Sequence, residues 1–190
     1  MGELKRHSIG EFLTKYHTHC LIETGTWKGN GLNFARRFDF KQIFSIDINK
    51  EYYLLNRERF KSDKRIEVFL GESAEKLPEM LSKVDEDSNV LFWLDAHFPE
   101  LYGLKDEFSL DIIIPLQREL NAITSVRDVS RDVFIIDDLR VFQYIDEPMF
   151  ENILPKNTNK NSHFIFSLLS KSHNITIDVR DQGYIIAVPK

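Results

Sequence analysis

The chain has 190 residues, 42% of them apolar, and a formal net charge of -5 with a pI near 5.7. Against about 150 residues for an ordinary domain, that length predicts a single domain over residues 1–190 with one buried core. The acidic balance lacks the positive field that a phosphate backbone requires, and no apolar run approaches the ~20 residues that span a bilayer; neither a nucleic acid nor a membrane is expected as a partner, and a soluble, cytoplasmic protein is.

Cys20 is the only cysteine, which excludes an internal disulfide and a multi-cysteine zinc site; beside Leu21 and Ile22 it is expected to act as a small buried hydrophobe. Short apolar runs then alternate with helical patterns. The runs are Leu21-Ile22, Ile43 to Ile46, Ile66 to Leu70, Val90 to Leu94 and Val133 to Ile136. Between them Leu32 to Phe38, Glu51 to Phe60, Ala74 to Leu81 and Leu110 to Ile123 carry helical patterns, the last with Ile112, Leu116, Leu120 and Ile123 at steps of three and four. That alternation is how a parallel sheet with helices on both faces reads in sequence. Near the end, Ile175 to Val179 and Tyr184 to Val188 flank the short turn Arg180-Asp181-Gln182-Gly183 and predict an antiparallel hairpin. The expected fold is therefore α/β, a doubly wound, Rossmann-like, seven-stranded sheet: five parallel βα units and a C-terminal antiparallel hairpin, the strand inventory of the class I methyltransferase fold, most of which a dehydrogenase-like Rossmann fold shares. Asp85 to Asn89 and Pro155 to Asn161 are expected as surface loops, and Pro99 to Ser109 as a lid.

After the first run the chain reads Glu23-x-Gly25-x-x-x-Gly29 and enters a helix. Glycines there let the backbone approach a ligand while free N-H groups at the helix start face it. The spacing is not that of a dinucleotide-binding turn, because Trp27 stands where the second glycine would meet a pyrophosphate. Glu23, ending the first strand, can accept from an amino group. Asp47 ends the second strand 22 residues after Gly25, where a carboxylate can take both hydroxyls of a ribose. These features favour S-adenosylmethionine over NAD. A solvated Asp47 at the head of the helix beginning near Asn49, and Ser73 capping the helix from Ala74, are the structural alternatives.

The fourth strand ends in Asp95-Ala96-His97 and the fifth in Asp137-Asp138. Strands four and five of such a sheet are neighbours, so Asp95, Asp137 and Asp138 are expected to converge at one crevice. Like charges brought together are most simply offset by a divalent cation, and oxygen donors suit Mg²⁺, Ca²⁺ or Mn²⁺. Capping of the next helix, or pairing with Arg140, is the alternative for Asp137 and Asp138. His97, two residues past Asp95, is the candidate general base, with metal ligation or loop packing as other uses.

Glu23 to Gly31, Ser45 to Asn49, Gly71-Glu72-Ser73, Phe92 to Asp95 and Ile136-Asp137-Asp138 resemble, in order and spacing, the successive motifs of the catechol O-methyltransferase-like branch of class I S-adenosylmethionine-dependent methyltransferases. The resemblance spans roughly residues 20 to 140. It implies that Glu23, Gly25, Thr26, Trp27 and Gly29 wrap the methionine part of the cofactor, that Asp47, with Ile48 beside it, holds the ribose, and that Glu72 and Ser73 meet the adenine edge. It further implies that Asp95 adjoins cofactor and metal, and that Asp95, Asp137 and Asp138 hold a Mg²⁺ or Mn²⁺ that chelates acceptor oxygens. Asp138 replaces an amide common in that branch, and Phe98 stands about where the catechol enzymes carry a lysine base, which puts catechol itself in doubt as the substrate. A looser resemblance, carried by Leu94 to His97, Pro115-Leu116-x-x-Glu119-Leu120 and Asp137-Asp138-x-Arg140-x-Phe142, points to small methyltransferase-like proteins of surface-glycan pathways.

The expectation is a methyltransferase acting on a hydroxyl of a small molecule or carbohydrate, with Asp95 and His97 as catalytic residues; homodimer formation is left open. A metal-dependent glycosyltransferase or phosphoesterase would use the same acids but leave the glycine turn and Asp47 unexplained. A non-catalytic cofactor-binding module would not need the acidic cluster. Phe98, Tyr102, Phe108, Phe142 and Tyr144 are candidates to line an acceptor pocket, although most of the 15 phenylalanines are expected in the core.

Overall fold

The computed structural model describes residues 3–97, 112, 114–137, 139, 162–181 and 183–190. After a 3-10 turn at Leu4–Arg6 come α1 (Ile9–Tyr16), β1 (Thr18–Thr24), α2 (Asn30–Ala35), β2 (Gln42–Asp47), α3 (Lys50–Phe60), β3 (Ile66–Leu70), α4 (Ser73–Ser82) and β4 (Asn89–Leu94). They are followed by α5 (Leu116–Val126), β5 (Val133–Ile136), α6 (His163–Leu169), β6 (His173–Asp178) and β7 (Tyr184–Pro189). The described strands form one seven-stranded sheet in the order β3-β2-β1-β4-β5-β7-β6. β1 to β5 run parallel, and β7 enters antiparallel between β5 and β6.

Because side chains alternate across a strand, the continuous apolar runs split between two faces. Leu21, Ile43, Leu91, Trp93, Val133 and Ile135 pack with Ile9, Leu32, Phe40, Phe60 and Tyr184. On the other face Ile22, Ile46, Phe92, Leu94, Phe134 and Ile136 pack with Leu77 and Met80 of α4, Leu120 and Ile123 of α5, and Ile165 and Leu169 of α6. This is the doubly wound arrangement expected. Cys20 is fully buried, and burial pushes its thiol pKa upward, as suits an inert core residue. Among the described residues no helix is long and apolar enough to cross a membrane.

Two boundaries depart from the sequence pattern. The helix expected over Leu32 to Phe38 is Asn30–Ala35, because the carbonyls beyond it are taken by a tertiary partner: Arg65 donates to Arg36 O at 2.9 Å and to Phe38 O at 3.0 Å. The helix expected over Leu110 to Ile123 is interrupted: Ile112 is helical, Ile114 and Pro115 are not, and Leu116–Val126 begins directly after Pro115, whose missing N-H suits the head of a helix. α1 and α6 carry no expectation from the sequence pattern at all. The proposed lid, the loop at Pro155 to Asn161, and Asp138, Arg140, Phe98, Tyr102, Phe108, Phe142 and Tyr144 lie outside the described residues.

Candidate functional site

The parallel strands end along one edge, and the acids that terminate them gather there. β1 is flanked by β2 and β4 and β4 by β5, so Glu23, Asp47, Asp95 and Asp137 come from four adjacent strands. The backbone laces these ends together: Gly25 N and Thr26 N donate to Ile46 O, Asp95 N to Thr24 O and Asp137 N to Leu94 O.

The glycine turn is built from below. Gly25 has φ 85°, and a Cβ there would stand 2.7 Å from Asp95 O, so only glycine lets β1 and β4 separate so narrowly. A Cβ at Gly31 would fall 1.7 Å from Glu23 Oε1; the missing side chain is the space the carboxyl occupies. Glu23 is 2% exposed and its Oε2 accepts from Ser45 Oγ at 2.5 Å, while the Ser45 and Thr26 hydroxyls share a 2.6 Å hydrogen bond. Burial pushes the Glu23 pKa up to about 8; the Ser45 hydrogen bond works against that rise and the charge of Asp47 adds to it. Thr26, expected to wrap a cofactor, thus turns its hydroxyl inward to support the turn.

Trp27 takes φ 44°, a left-handed conformation that costs a non-glycine residue about 1–3 kcal/mol and persists where surroundings enforce it. The enforcing groups are evident. Trp27 N donates to Asp47 Oδ2 at 2.7 Å, Asn56 Nδ2 donates to Trp27 O at 2.7 Å, and Arg59 Nη1 donates to Lys28 O at 2.9 Å. Sequence reasoning missed Asn56 and Arg59. The available signal was Asn56 itself, a polar residue one helical turn before Phe60 on the buried stripe of α3.

Asp47 accepts from two backbone N-H groups, Trp27 at Oδ2 and Asn49 at Oδ1, both at 2.7 Å. Burial raises its pKa, and the two N-H groups hold the rise down. The carboxylate is therefore fixed in place, with its remaining lone pairs still available to a ligand. It does not cap α3: Asn49 does, accepting from Glu51 N at 2.8 Å. Nor does Ser73 cap α4, because the Glu72 carboxylate accepts from Ala74 N at 3.2 Å and from Glu75 N at 3.0 Å, and also pairs with Arg118 at 3.3 Å. Ser73 is the first helical residue, 7% exposed.

Two cavities adjoin the turn. One, enclosing about 730 Å³ counted out to solvent, runs from Gly25, Trp27 and Asp47 past Ile48, Asn49 and Tyr52 to Gly71, Glu72 and Ser73; Asp95, Ala96, His97, Ile112 and Pro115 close its other side. The second lies under the N-terminal turn and is bordered by Leu4, Lys5, Glu23, Thr26, Gly31, Trp93 and Asp95, among others. Gly25, Trp27 and Asp95 border both, so the two are halves of one crevice. The structure thus brings Glu23, Gly25, Thr26, Trp27, Asp47, Ile48, Glu72, Ser73, Asp95 and His97 to one crevice, with Gly29 terminating the turn, φ 72°, directly before α2. Tyr52 and Trp93 are lining residues the sequence did not single out.

His97 Nδ1 lies 3.5 Å from Asp95 Oδ1, and both side chains are mostly shielded. Asp137 is 4% exposed at the neighbouring strand end; its charge adds to the burial that pushes the Tyr184 hydroxyl pKa upward. Asp95 and Asp137, two of the three expected cation ligands, stand at the ends of adjoining strands, Asp137 N donating to Leu94 O, and Asp137 lines neither cavity. Among the described residues no group of three ligands assembles, the third expected ligand being Asp138.

No protein-family model matches the chain, and no curated protein does. Solved structures do. A Staphylococcus aureus protein described as a caffeoyl-CoA O-methyltransferase aligns with TM-score 0.67 and 14% identity over 100% of this chain and 85% of its own. A Podospora anserina methyltransferase bound to S-adenosylhomocysteine aligns at 0.66 and 12%, over 100% and 80%. An O-methyltransferase from Bacillus cereus, in complex with S-adenosylhomocysteine, aligns at 0.56 and 15%, over 94% and 77%. Likeness at such identities establishes architecture, and this chain has the class I methyltransferase fold.

Proposed function

We propose that this chain is an S-adenosylmethionine-dependent O-methyltransferase acting on a hydroxyl of a small molecule or sugar, assisted by a divalent cation. The observation that carries the reading is Asp47: a carboxylate pinned at the end of β2 by two backbone N-H groups, beside a strained turn and facing a crevice that runs to both sides of β1. The fold's neighbours bound to S-adenosylhomocysteine support the same cofactor.

When bound, S-adenosylmethionine would supply a sulfonium methyl group: an O–C bond to the acceptor would form as the C–S bond breaks, with S-adenosylhomocysteine as leaving group and the hydroxyl proton lost to a base. Asp47 would take the ribose hydroxyls, and the apolar walls Ile48, Tyr52, Ile112 and Pro115 would sandwich the base. The second cavity, where Glu23 and Asp95 lie, would receive the amino acid end. A cation bound by Asp95 and Asp137, with Asp138, would lower the acceptor hydroxyl's pKa and fix it in line with the methyl group. His97, oriented by Asp95, would take the hydroxyl proton.

Calorimetric titration with S-adenosylmethionine, S-adenosylhomocysteine and NAD, each with and without Mg²⁺ or Mn²⁺, tests this without knowledge of the acceptor. Micromolar binding of both sulfur nucleotides and none of NAD is expected. Failure of both sulfur nucleotides to bind would refute the reading.

A further inference from the structure

Glu119 is a carboxyl in the wrong place for a structural helix. It lies on α5 within the stripe formed by Leu116, Leu120 and Ile123, is 1% exposed, and its Oε1 has no hydrogen-bond partner among the described residues. Burying such a group costs several kcal/mol unless something is gained elsewhere. Burial pushes its pKa up to about 7, and the hydroxyls of Ser73 and Thr24, which lie against it, work in the opposite direction. Ser73 is also a wall of the crevice, together with Ile48, Tyr52, Ile112 and Pro115.

A serine hydroxyl has one proton and two acceptor lone pairs. With an ionised carboxylate beneath it, the proton is drawn inward and the lone pairs face the cavity. We propose that Glu119 is a specificity-determining positioning residue: acting through Ser73, it makes the base end of the crevice an acceptor and so selects a purine bearing an exocyclic amino group over one bearing an oxo group. The inference rests on the reading of the crevice as a nucleoside-cofactor site. An oxopurine would set its own acceptor oxygen against Ser73, and a site built to bond a donor rejects strongly the analogue that lacks it.

The test compares S-adenosylhomocysteine with S-inosylhomocysteine, its deaminated counterpart, by calorimetry at pH 8.5, where Glu119 is ionised. The wild-type protein is expected to prefer the amino compound by ~100-fold or more. Glu119→Leu, which removes the acceptor and keeps the volume, should bring that ratio below about 10-fold, whereas Glu119→Gln, which retains one acceptor oxygen, should keep most of it. A purely structural Glu119 would weaken both compounds in parallel and leave the ratio unchanged in Glu119→Leu; that result overturns the inference while the cofactor reading stands. Absence of S-adenosylhomocysteine binding by the wild-type protein overturns both.

Discussion

The two edges of the sheet treat buried acids in opposite ways. At the amino edge Asp132 is completely buried just before β5, and each of its oxygens is matched: Arg127 donates to Oδ2 at 2.7 Å and to Oδ1 at 3.0 Å, and Val90 N donates to Oδ1 at 2.8 Å. Arg127 also donates to Ser88 O, and His173 Nε2 sits 3.0 Å from Asp132 O, so one acid ties β4, β5 and β6 together. At the carboxyl edge Glu23 and Asp47 are buried on hydrogen bonds from Ser45, Trp27 and Asn49, and neither is paired with a lysine or arginine among the described residues. The one lysine or arginine among the described residues lining the crevice is Lys5, already paired with Glu3 at 2.9 Å. Burial drives Glu23 up to about 8 and raises Asp47. A satisfied acid is a structural device. A buried acid held by hydrogen bonds alone beside a cavity, as Glu23 and Asp47 are, is placed to meet a ligand.

That contrast can be broken at its strongest point first. Asp132→Ala leaves the half-buried Arg127 without its carboxylate partner, and should cost roughly 3 kcal/mol, on the order of 10 °C in Tm, while the protein that remains folded binds S-adenosylhomocysteine normally; thermal melts with and without the nucleotide check both halves. Asp47→Ala should do the reverse in emphasis. Two charge-assisted ribose contacts correspond to a fall of ~100-fold or more in S-adenosylhomocysteine affinity, against about 1–3 kcal/mol of stability for the two orphaned backbone N-H groups. Equal affinity in a calorimetric titration would remove Asp47 from the ribose.

Asp137→Asn separates cation from nucleotide: S-adenosylhomocysteine binding should stay within about twofold while Mn²⁺ affinity drops by ~10-fold or more. Unchanged Mn²⁺ titration would count against the metal. The effect at Glu23 is read in its pH dependence. Its folded pKa lies near 8 against 4.5 for the free carboxyl, so the folded state holds a proton that the unfolded chain has already lost. Its contribution to stability is therefore fullest below pH 4.5 and declines as pH rises toward 8. The Tm difference between wild type and Glu23→Gln should shift against the wild type over that window, and a pH-independent difference would show that Glu23 ionises normally.

Periodicity and punctuation carried most of the fold. Continuous apolar runs such as Val90 to Leu94 can only be strands covered on both faces, and Gly183 after a short polar turn can only join a hairpin; these are local consequences of side-chain alternation and backbone sterics, so they are legible in one chain. The same holds for acids at strand ends, since a parallel sheet places every such residue on one edge. What the pattern does not contain is which carboxyl answers which donor. That Arg65 ends α2 and that Asn56 holds Trp27 in a left-handed turn depend on partners 29 residues away in sequence and adjacent only after packing, whereas the choice of Glu72 over Ser73 as the cap of α4 lies between two adjacent residues able to fill it. Glu119 shows the limit most plainly. In sequence it stands in the Pro115-Leu116-x-x-Glu119-Leu120 segment with no role assigned, and only the docking of α5 against α4 turns it into a desolvated carboxyl under the crevice wall, because burial, unlike periodicity, is a property of the assembled fold.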